Sequence, residues 1–319
     1  MKRLSHILPF LLLFLMAACS NDGDDGGYPE GRNDNKNVAS PRNFASESKL
    51  PASSFIGSLE VPALRSHSAD YLLVHTLADG RANYCIEYDT QLKAARWTAY
   101  KSYSGFSSND THFSRNAWKN GEYFNGFGGS EDPFQPDLLL PAGLQRTLED
   151  HRSNGYDRGH MIGSADRLNS KEANGQTYYL TNIHPQLNQL NAKDGLWYNL
   201  ENKVRNYDQD MFRDTLYVVK GGTISDGNYT TIKNGVPCPK YFFMAILAFN
   251  KSKVKINGGY KAIAFWVEHK NTVRQPSVSD AISIDELESR TGIDFFCNLP
   301  DNIESVVEER YYKDDWNLK

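Results

Sequence analysis

The stretch Tyr156-Asp157-Arg158-Gly159-His160-Met161, followed by Asn191, decides how this chain is interpreted. Histidine is a natural general base near neutral pH. The guanidinium of Arg158 can bind two phosphate oxygens at once, which a lysine cannot do. Gly159 is expected to allow a tight backbone turn, so that the imidazole of His160 faces a groove. Taken alone, the run fits a surface turn with a chance histidine about as well as it fits a catalytic site.

Asn191 favours the catalytic interpretation. Mg²⁺ prefers hard oxygen ligands and gives up its waters reluctantly, so a single protein amide oxygen can be enough to hold it. Glu201 would accept hydrogen bonds from the waters of the ion, and Arg205, one turn later, could reach the same phosphate. The alternative is a solvated helix pair of Glu201 and Arg205, worth roughly a few tenths of a kcal/mol. Together these residues predict metal-dependent cleavage of a phosphodiester.

In this order the motifs resemble those of the DNA/RNA non-specific endonucleases. These enzymes belong to the ββα-metal, or His-Me finger, superfamily, which includes endonuclease G. The resemblance extends from about residue 70 to residue 300. The segments that carry it are 156–161, Thr181-Asn182-Ile183-His184-Pro185-Gln186, Leu190-Asn191, and Trp197-Tyr198-Asn199-Leu200-Glu201 through Arg205.

The resemblance implies a role for each residue of the motif. His160 would be the general base, and Asn191 would be the only direct protein ligand of Mg²⁺, with Mn²⁺ as a possible substitute. Glu201 would hold the water shell of the metal, while Arg158 and Arg205 would contact the scissile phosphate. DNA and RNA would be the substrates, the products would carry 5′-phosphate and 3′-hydroxyl ends, and no organic cofactor is expected.

Other positions carry further implications of the resemblance. Asn182 would support the finger. An upstream arginine grips phosphate in this family, and Arg115 is the candidate, although an ordinary loop arginine is an equally good interpretation. His184 is expected to be a buried, neutral histidine with a structural role. Residues 192–196 make the spacing to Trp197 two residues longer than is usual in the family, so we expect the metal asparagine to lie in a loop before the helix.

Apolar runs bounded by Gly, Asn or Pro predict the strands of a sheet. Trp197, Leu200 and Val204 recur on one face of a predicted helix that starts near Asp194. A second helix is predicted over about 280–288 with a serine cap. We therefore predict an α+β fold with a central, mostly antiparallel sheet and a ββα-metal active-site motif. The predicted strands are 71–77, 84–88, 96–100, 216–220, 241–249 and 262–267.

The amino-terminal residues predict export from the cytoplasm. Residues 1–18 have a basic start, an apolar core and small residues before Cys19, which resembles a bacterial lipoprotein signal peptide. A plain secretory signal is the alternative. We expect Cys19 to carry lipid and to anchor the protein to the membrane of the cell envelope, at the outer membrane, with surface exposure suggested by the acidic residues that follow. Residues 19–54 are predicted to be a disordered tether, and 55–319 the endonuclease domain.

The charge of the chain does not by itself favour a polyanion. The net charge is −4, and removal of residues 1–18 makes it −6. Binding would therefore depend on local arginines and on phosphate contacts, with little base readout and marked sensitivity to salt. The arginines around the motif are Arg146, Arg152, Arg158 and Arg167.

Three cysteines remain after Cys19, and their spacing does not suit a zinc site. Either Cys238 pairs with Cys297, or all three are buried thiols. The sequence also leaves a homodimer possible.

Two other functions stay open at this point. One is a phosphodiesterase with a small substrate or a lipid substrate, such as a cyclic nucleotide or a lipid head group. The other is a non-catalytic surface lipoprotein that binds a glycan or a protein through its aromatic residues. The combination of His160, Asn191 and Glu201 argues against a non-catalytic protein.

Overall fold

The computed structural model describes residues 31–38, 41–104, 106, 132–225 and 227–319. The strands in these ranges are β1 (Asn43–Ser46), β2 (Asp70–Thr76), β3 (Ala82–Asp89), β4 (Ala94–Tyr103), β5 (Asp157–His160), β6 (Ile183–Gln186), β7 (Thr215–Gly222), β8 (Tyr229–Ile232), β9 (Val236–Pro239), β10 (Tyr241–Phe249), β11 (Tyr260–Glu268) and β12 (Ala281–Ile282). The α-helices are α1 (Lys171–Gln176), α2 (Asn188–Asn191), α3 (Leu196–Tyr207), α4 (Ile284–Thr291) and α5 (Asp301–Glu309).

A central eight-stranded sheet has the order β1-β2-β3-β4-β7-β10-β11-β12. β1 is parallel to β2, and the other neighbours are antiparallel. All six apolar runs predicted as strands lie in this sheet. Two hairpins stand outside it, β5 with β6 and β8 with β9. The prediction of an α+β fold with a mostly antiparallel sheet is confirmed.

Both faces of the sheet are covered, which explains why its strands are nearly continuous apolar runs. Leu73 and its neighbour Leu72 belong to cores on opposite faces, because successive side chains of a strand point to opposite sides. α3 packs on the first face through the predicted stripe of Trp197, Leu200 and Val204, all of which are buried. α4 and α5 pack against β11 on the second face.

Both predicted helices, α3 and α4, are present, but their ends differ from the predicted positions. α3 starts after Gly195, close to the predicted position. α4 starts at Ile284, later than predicted, and the Ser283 hydroxyl oxygen caps it by accepting the Glu286 backbone N–H (3.1 Å). Asn191 does not lie in a loop. It ends α2, and the longer spacing to α3 is taken up by a turn in which Asp194 has a left-handed backbone (φ 72°).

The predicted disordered tether is wrong for the part of it that the structure describes. β1 extends the sheet by pairing with β2. The Asn33 side-chain amide donates to the carbonyl of Leu299 (2.5 Å), and that of Asn37 donates to the carbonyl of Pro62 (3.0 Å). Asparagine amides thus dock this polar segment onto backbone carbonyls of the fold.

The predicted pairing of Cys238 with Cys297 is also wrong. Cys85, Cys238 and Cys297 are free thiols, and all three are buried. The Cys238 sulfur lies 3.7 Å from Nδ1 of His269, whereas the Cys297 sulfur lies 3.8 Å from the carbonyl oxygen of Val61.

Among the helices of the described ranges, none combines the length and the apolar composition needed to cross a membrane.

Candidate active site

The hairpin of β5 and β6 carries the histidine motif. Gly159 pairs with His184, and His160 pairs with Ile183. Gly159 lies in a strand and not in a tight turn, so the expected reason for this glycine is wrong. A Cβ at this position would come within 2.2 Å of the Gln186 side chain, which is buried. A side chain at position 159 would therefore displace the Gln186 side chain, which lies across this glycine.

Arg158 and His160 project from the same face of β5, because side chains alternate along a strand. Both contact Phe134. The His160 ring lies 5.1 Å from the Phe134 ring, and the Arg158 guanidinium lies 4.1 Å above it. Tyr178 contacts the histidine edge to face at 5.3 Å, and Asp132 Oδ2 accepts a hydrogen bond from Arg158 Nη1 (2.7 Å). Aromatic packing thus fixes both functional side chains.

These side chains face a cleft of about 500 Å³. The cleft brings His160 and Arg158 together with Asn191, as the sequence predicts. The described residues that line it are Phe134, His151, Arg152, Ser153, Tyr156, Asp157, Arg158, His160 and Asn191.

The Asn191 amide is oriented by Asp157. Oδ2 of Asp157 accepts hydrogen bonds from Nδ2 of Asn191 (3.1 Å) and from Nδ2 of Asn188 (3.0 Å). With its nitrogen turned toward the carboxylate, the Asn191 amide has its oxygen left to act as a ligand. A hard oxygen donor in the cleft of the candidate base suits a divalent cation such as Mg²⁺. The two residues are 34 positions apart, and no local sequence signal connects them.

A second supporting residue, His269, was missed altogether. Its Nδ1 donates to the carbonyl of Pro239 (2.7 Å), so its Nε2 can accept the backbone N–H of Leu187 (2.9 Å). Burial lowers the pKa of His269, which favours this neutral tautomer. The carbonyl of Leu187 in turn accepts the backbone N–H of Asn191 (3.0 Å). His269 therefore fixes the start of α2, and no local sequence signal connects it with that helix.

Asn182 lies where support for the hairpin was expected. Its side chain is buried and bonds twice with Ile162, accepting the N–H (3.0 Å) and donating to the carbonyl (3.0 Å). A third hydrogen bond runs to the carbonyl of Thr177 (2.8 Å). The residues that follow β5 are thereby tied to the segment that precedes β6.

Glu201 and Arg205 belong to a buried charge cluster with two residues that sequence reasoning missed, Asp166 and Lys220. Arg205 Nη1 lies 2.6 Å from Asp166 Oδ1, and Lys220 Nζ lies 3.2 Å from Asp166 Oδ2 and 3.5 Å from Glu201 Oε1. Burial raises the pKa of Asp166, but Lys220 and Arg205 outweigh it and hold that pKa well below its usual value. The two cations balance the two carboxylates.

The alternative of a solvated Glu201–Arg205 helix pair is wrong, since these side chains are only 12% and 17% exposed. Neither is among the described residues lining the cleft. The cluster is joined to the histidine motif through Gly163, whose backbone N–H donates to Asp166 Oδ2 (3.0 Å). A Cβ on Gly163 would lie 3.4 Å from Glu201 Oε1 and 3.7 Å from Arg205 Nη1. The cluster therefore adjoins the backbone three residues beyond His160.

Comparison with known proteins agrees with this geometry. A family model described as DNA/RNA non-specific endonuclease matches residues 75–302. The chain belongs to this family. The protein is thus a nuclease that hydrolyses phosphodiester bonds, and its family is metal-dependent. The predicted non-specific endonuclease activity on DNA and RNA is confirmed, and the non-catalytic alternative is set aside.

Individual relatives extend the comparison. A nuclease of Nostoc sp. is 30% identical over 227 residues, which cover 69% of this chain and 81% of that protein. Nuclease C1 of Cunninghamella echinulata var. echinulata is 26% identical over 228 residues, covering 69% of this chain and 82% of that protein. A crystal structure of an EndoG/EndoGI complex superposes with a TM-score of 0.55, over 74% of this chain and 86% of that one, at 20% identity. The nuclease therefore has an EndoG-like fold.

The four arginines predicted to surround the motif lie in different environments in this non-specific endonuclease. Arg152 and Arg158 line the cleft. Arg146 instead donates to the carbonyls of Asn234 (2.9 Å) and Gly235 (2.7 Å), and Arg167 is fully buried, donating to Asn83. Arg167 therefore cannot contact a phosphate, whereas Arg146 lies outside the described lining of the cleft.

Two further predictions concern single positions. Arg115 lies outside the described residues. His184 is buried, and its Nε2 donates to the carbonyl of Ala95 (3.1 Å). Burial lowers the pKa of His184 to about 4, so this histidine is neutral, as predicted.

Replacing Asp157 with alanine is expected to weaken metal binding by about 10–100-fold. Loss of a residue that orients a metal ligand commonly lowers the metal affinity by that factor. The measurement is the rate of DNA cleavage as a function of Mg²⁺ concentration, together with Mn²⁺ affinity by calorimetry. Asp132→Ala is the matched control, since it removes a carboxylate that pairs with Arg158 and not with Asn191. We expect this control to change metal affinity far less than Asp157→Ala does. Equal metal dependence in Asp157→Ala and the unmodified enzyme would show that Asn191 needs no orienting partner.

Proposed function

We propose that this nuclease uses His160 as its general base and Asn191 as the direct protein ligand of a Mg²⁺ ion, and that Mn²⁺ can substitute. The products would be DNA and RNA fragments with 5′-phosphate and 3′-hydroxyl ends. The observation that carries the proposal is the Asn191 amide, turned by Asp157 (3.1 Å) inside the cleft that contains His160.

The mechanism begins with the proton of a water molecule. The imidazole of His160 takes that proton as the water oxygen bonds to phosphorus, and the bond from phosphorus to the 3′ oxygen breaks. The 3′ oxygen departs with the electron pair of that bond and takes a proton from solvent water, which gives the 3′-hydroxyl. The water attacks in line with the departing 3′ oxygen, so the phosphate stays on the 5′ oxygen of the other product. A bound Mg²⁺ would supply positive charge for the phosphate and the departing oxygen. Phe134 keeps the imidazole in place throughout, since the two rings lie 5.1 Å apart.

Arg158 is proposed to bind the scissile phosphate. Its guanidinium is 23% exposed, and it is held by Asp132 on one side and by the Phe134 ring on the other. Asp132 keeps the guanidinium in the cleft until a phosphate competes for the same donors, and a bidentate arginine–phosphate contact is strong enough to do so.

Glu201 and Arg205 are proposed to act from the adjoining cluster, Glu201 on the water shell of the metal and Arg205 on the phosphate. Support comes from their partial exposure and from their proximity to Gly163. Asp166 and Lys220 would hold these side chains in position. Asn182 would act only through the backbone, by keeping the hairpin together.

We further propose that the enzyme is exported and anchored to the outer membrane through a lipid on Cys19. Support comes from residues 1–19, with their basic start, apolar core and small residues before the cysteine. Fractionation of cells that express the full chain or Cys19→Ala tests this. We expect the substitution to move the protein from the membrane fraction to the soluble fraction. Membrane association that is unchanged by the substitution would rule out the lipid anchor.

The test of the proposed reaction is digestion of plasmid DNA and of RNA by the mature chain without lipid. We expect cleavage of both with Mg²⁺ or Mn²⁺ and none after EDTA treatment. DNA ligase should rejoin nicked plasmid directly, since it requires 5′-phosphate and 3′-hydroxyl ends. Nicks that ligate only after phosphatase and kinase treatment would contradict the proposed bond cleavage, and cleavage undiminished by EDTA would contradict the metal site.

A further inference from the structure

A second group of carboxylates lies on the face of the sheet opposite α3. Asp285 and Glu288 belong to α4, and Glu308 belongs to α5. One carboxylate oxygen from each lies within 4.8 Å of the others. Both helices pack on β11 and on each other, so the group joins two neighbouring elements. The proposed nuclease mechanism makes no use of it.

Glu308 is the unusual member of this group. The residue is only 5% exposed, and its Oε1 is buried without a hydrogen-bond partner among the residues that the structure describes. A buried, ionised carboxylate is unfavourable unless a cation or a hydrogen-bond donor meets it. The arrangement is therefore incomplete without a positively charged or protonated partner.

The surroundings of Glu308 supply negative charge instead. After burial, the strongest influences on its pKa come from Glu288, Glu304, Asp294 and Asp285, and all of them raise it. Like charges held this close repel one another unless something neutralises them.

The nearby basic side chains contact other acids. Arg290 Nη2 lies 2.5 Å from Glu286 Oε1, and Arg310 Nη2 lies 2.8 Å from Glu309 Oε2. The side chains of both pairs are exposed. In the described ranges, no ion pair therefore reaches the carboxylate of Glu308.

We propose that Asp285, Glu288 and Glu308 form a binding site for a divalent cation, with Ca²⁺ preferred over Mg²⁺, which ties α4 to α5. Ca²⁺ takes six to eight oxygen ligands in a flexible arrangement, and carboxylates are common among them. Mg²⁺ usually keeps several of its waters and is held by only one or two carboxylates. A group of three carboxylates therefore favours Ca²⁺, and the exposed Asp285 leaves room for the waters that complete its coordination.

The cation would stabilise the fold without taking part in cleavage. An ion that binds only the folded chain raises stability as its concentration rises above its dissociation constant. The two helices that it joins contribute Ile284, Leu287 and Val307 to the core on this face of the sheet. We therefore expect Ca²⁺ to raise the melting temperature of the protein.

The experiment is done in full-length mature protein carrying Asn191→Ala, so that the proposed catalytic ligand does not contribute to the signal. Calorimetry and thermal denaturation are followed with Ca²⁺ up to about 10 mM, a range that covers the weaker calcium modules. We expect one Ca²⁺ per chain and a rise in melting temperature that Mg²⁺ reproduces poorly. Adding Glu308→Gln should abolish both.

Glu309→Gln is the matched control, because it removes the same charge from the next, exposed position of α5 and should leave Ca²⁺ binding intact. Glu308→Gln in the unmodified enzyme should retain nuclease activity, and in EDTA it should be at least as stable as its parent. Absence of a Ca²⁺ response in Asn191→Ala, or an equal response after adding Glu308→Gln, would overturn the proposal. A proton shared among the carboxylates would then be the partner of Glu308. None of these outcomes depends on the roles proposed for the cleft.

Discussion

Replacing His160 with alanine should lower the rate of plasmid cleavage by about 10²–10⁴-fold, which is the usual contribution of a general base. The loss should appear in kcat at saturating Mg²⁺, while metal affinity stays close to that of the unmodified enzyme. The reason is that His160 would move a proton, whereas the metal would be held by Asn191, whose amide donates to Asp157. The measurement is the initial rate of supercoiled plasmid loss, with Mn²⁺ affinity determined on the same preparations.

The matched control for this prediction is His151→Gln. His151 lines the same cleft, and burial lowers its pKa to about 4, so it is neutral but does not belong to the motif. We expect it to retain activity within about tenfold, the change that 1.4 kcal/mol produces. Cleavage that survives unchanged in His160→Ala would remove this residue as the base, and an equal loss in both variants would indicate a general disturbance of the cleft.

Replacing Asn191 with alanine should reduce cleavage by roughly 100-fold or more at ordinary Mg²⁺ concentrations, because the proposed direct ligand is lost. In contrast to His160→Ala, the defect should be in metal affinity, so that part of the activity returns when Mg²⁺ is raised. The rate is measured across a Mg²⁺ series, and Mn²⁺ binding is followed by calorimetry.

Asn188→Ala provides the control for Asn191→Ala. Asn188 lies at the start of α2 and donates to the same oxygen of Asp157, but it is not among the described residues lining the cleft. We expect its metal dependence to be nearly normal. An Asn191→Ala enzyme that bound metal as tightly as its parent would require a different ligand and would displace Asn191 from the mechanism.

Parts of the fold could be predicted because their causes are local. Strands buried on both faces must be apolar at almost every position, and so β7, β10 and β11 are visible as continuous runs. The apolar stripe of Trp197, Leu200 and Val204 predicts α3 because one face of this helix packs against the core. The serine cap of α4 is also local, because a side chain and a backbone N–H three residues apart form it.

Other features could not be predicted, since they depend on contacts between distant positions. The Asn33 and Asn37 amides dock a polar segment that has the composition of a disordered tether. Arg167 has the sequence context of a phosphate contact but is fully buried. Composition cannot separate a free side chain from one whose donors are already satisfied inside the fold.

For the catalytic site, the sequence by itself determined the family and the candidacy of Arg158, His160 and Asn191, because residue type and order along the chain are enough for these. Only the tertiary structure decided what orients them. Asp157 turns the Asn191 amide from 34 residues away, His269 fixes Leu187 from 82 residues away, and Asp166 meets Lys220 from 54 residues away. Hydrogen bonds and ion pairs act over about 3 Å, so they form only where folding has brought such positions together.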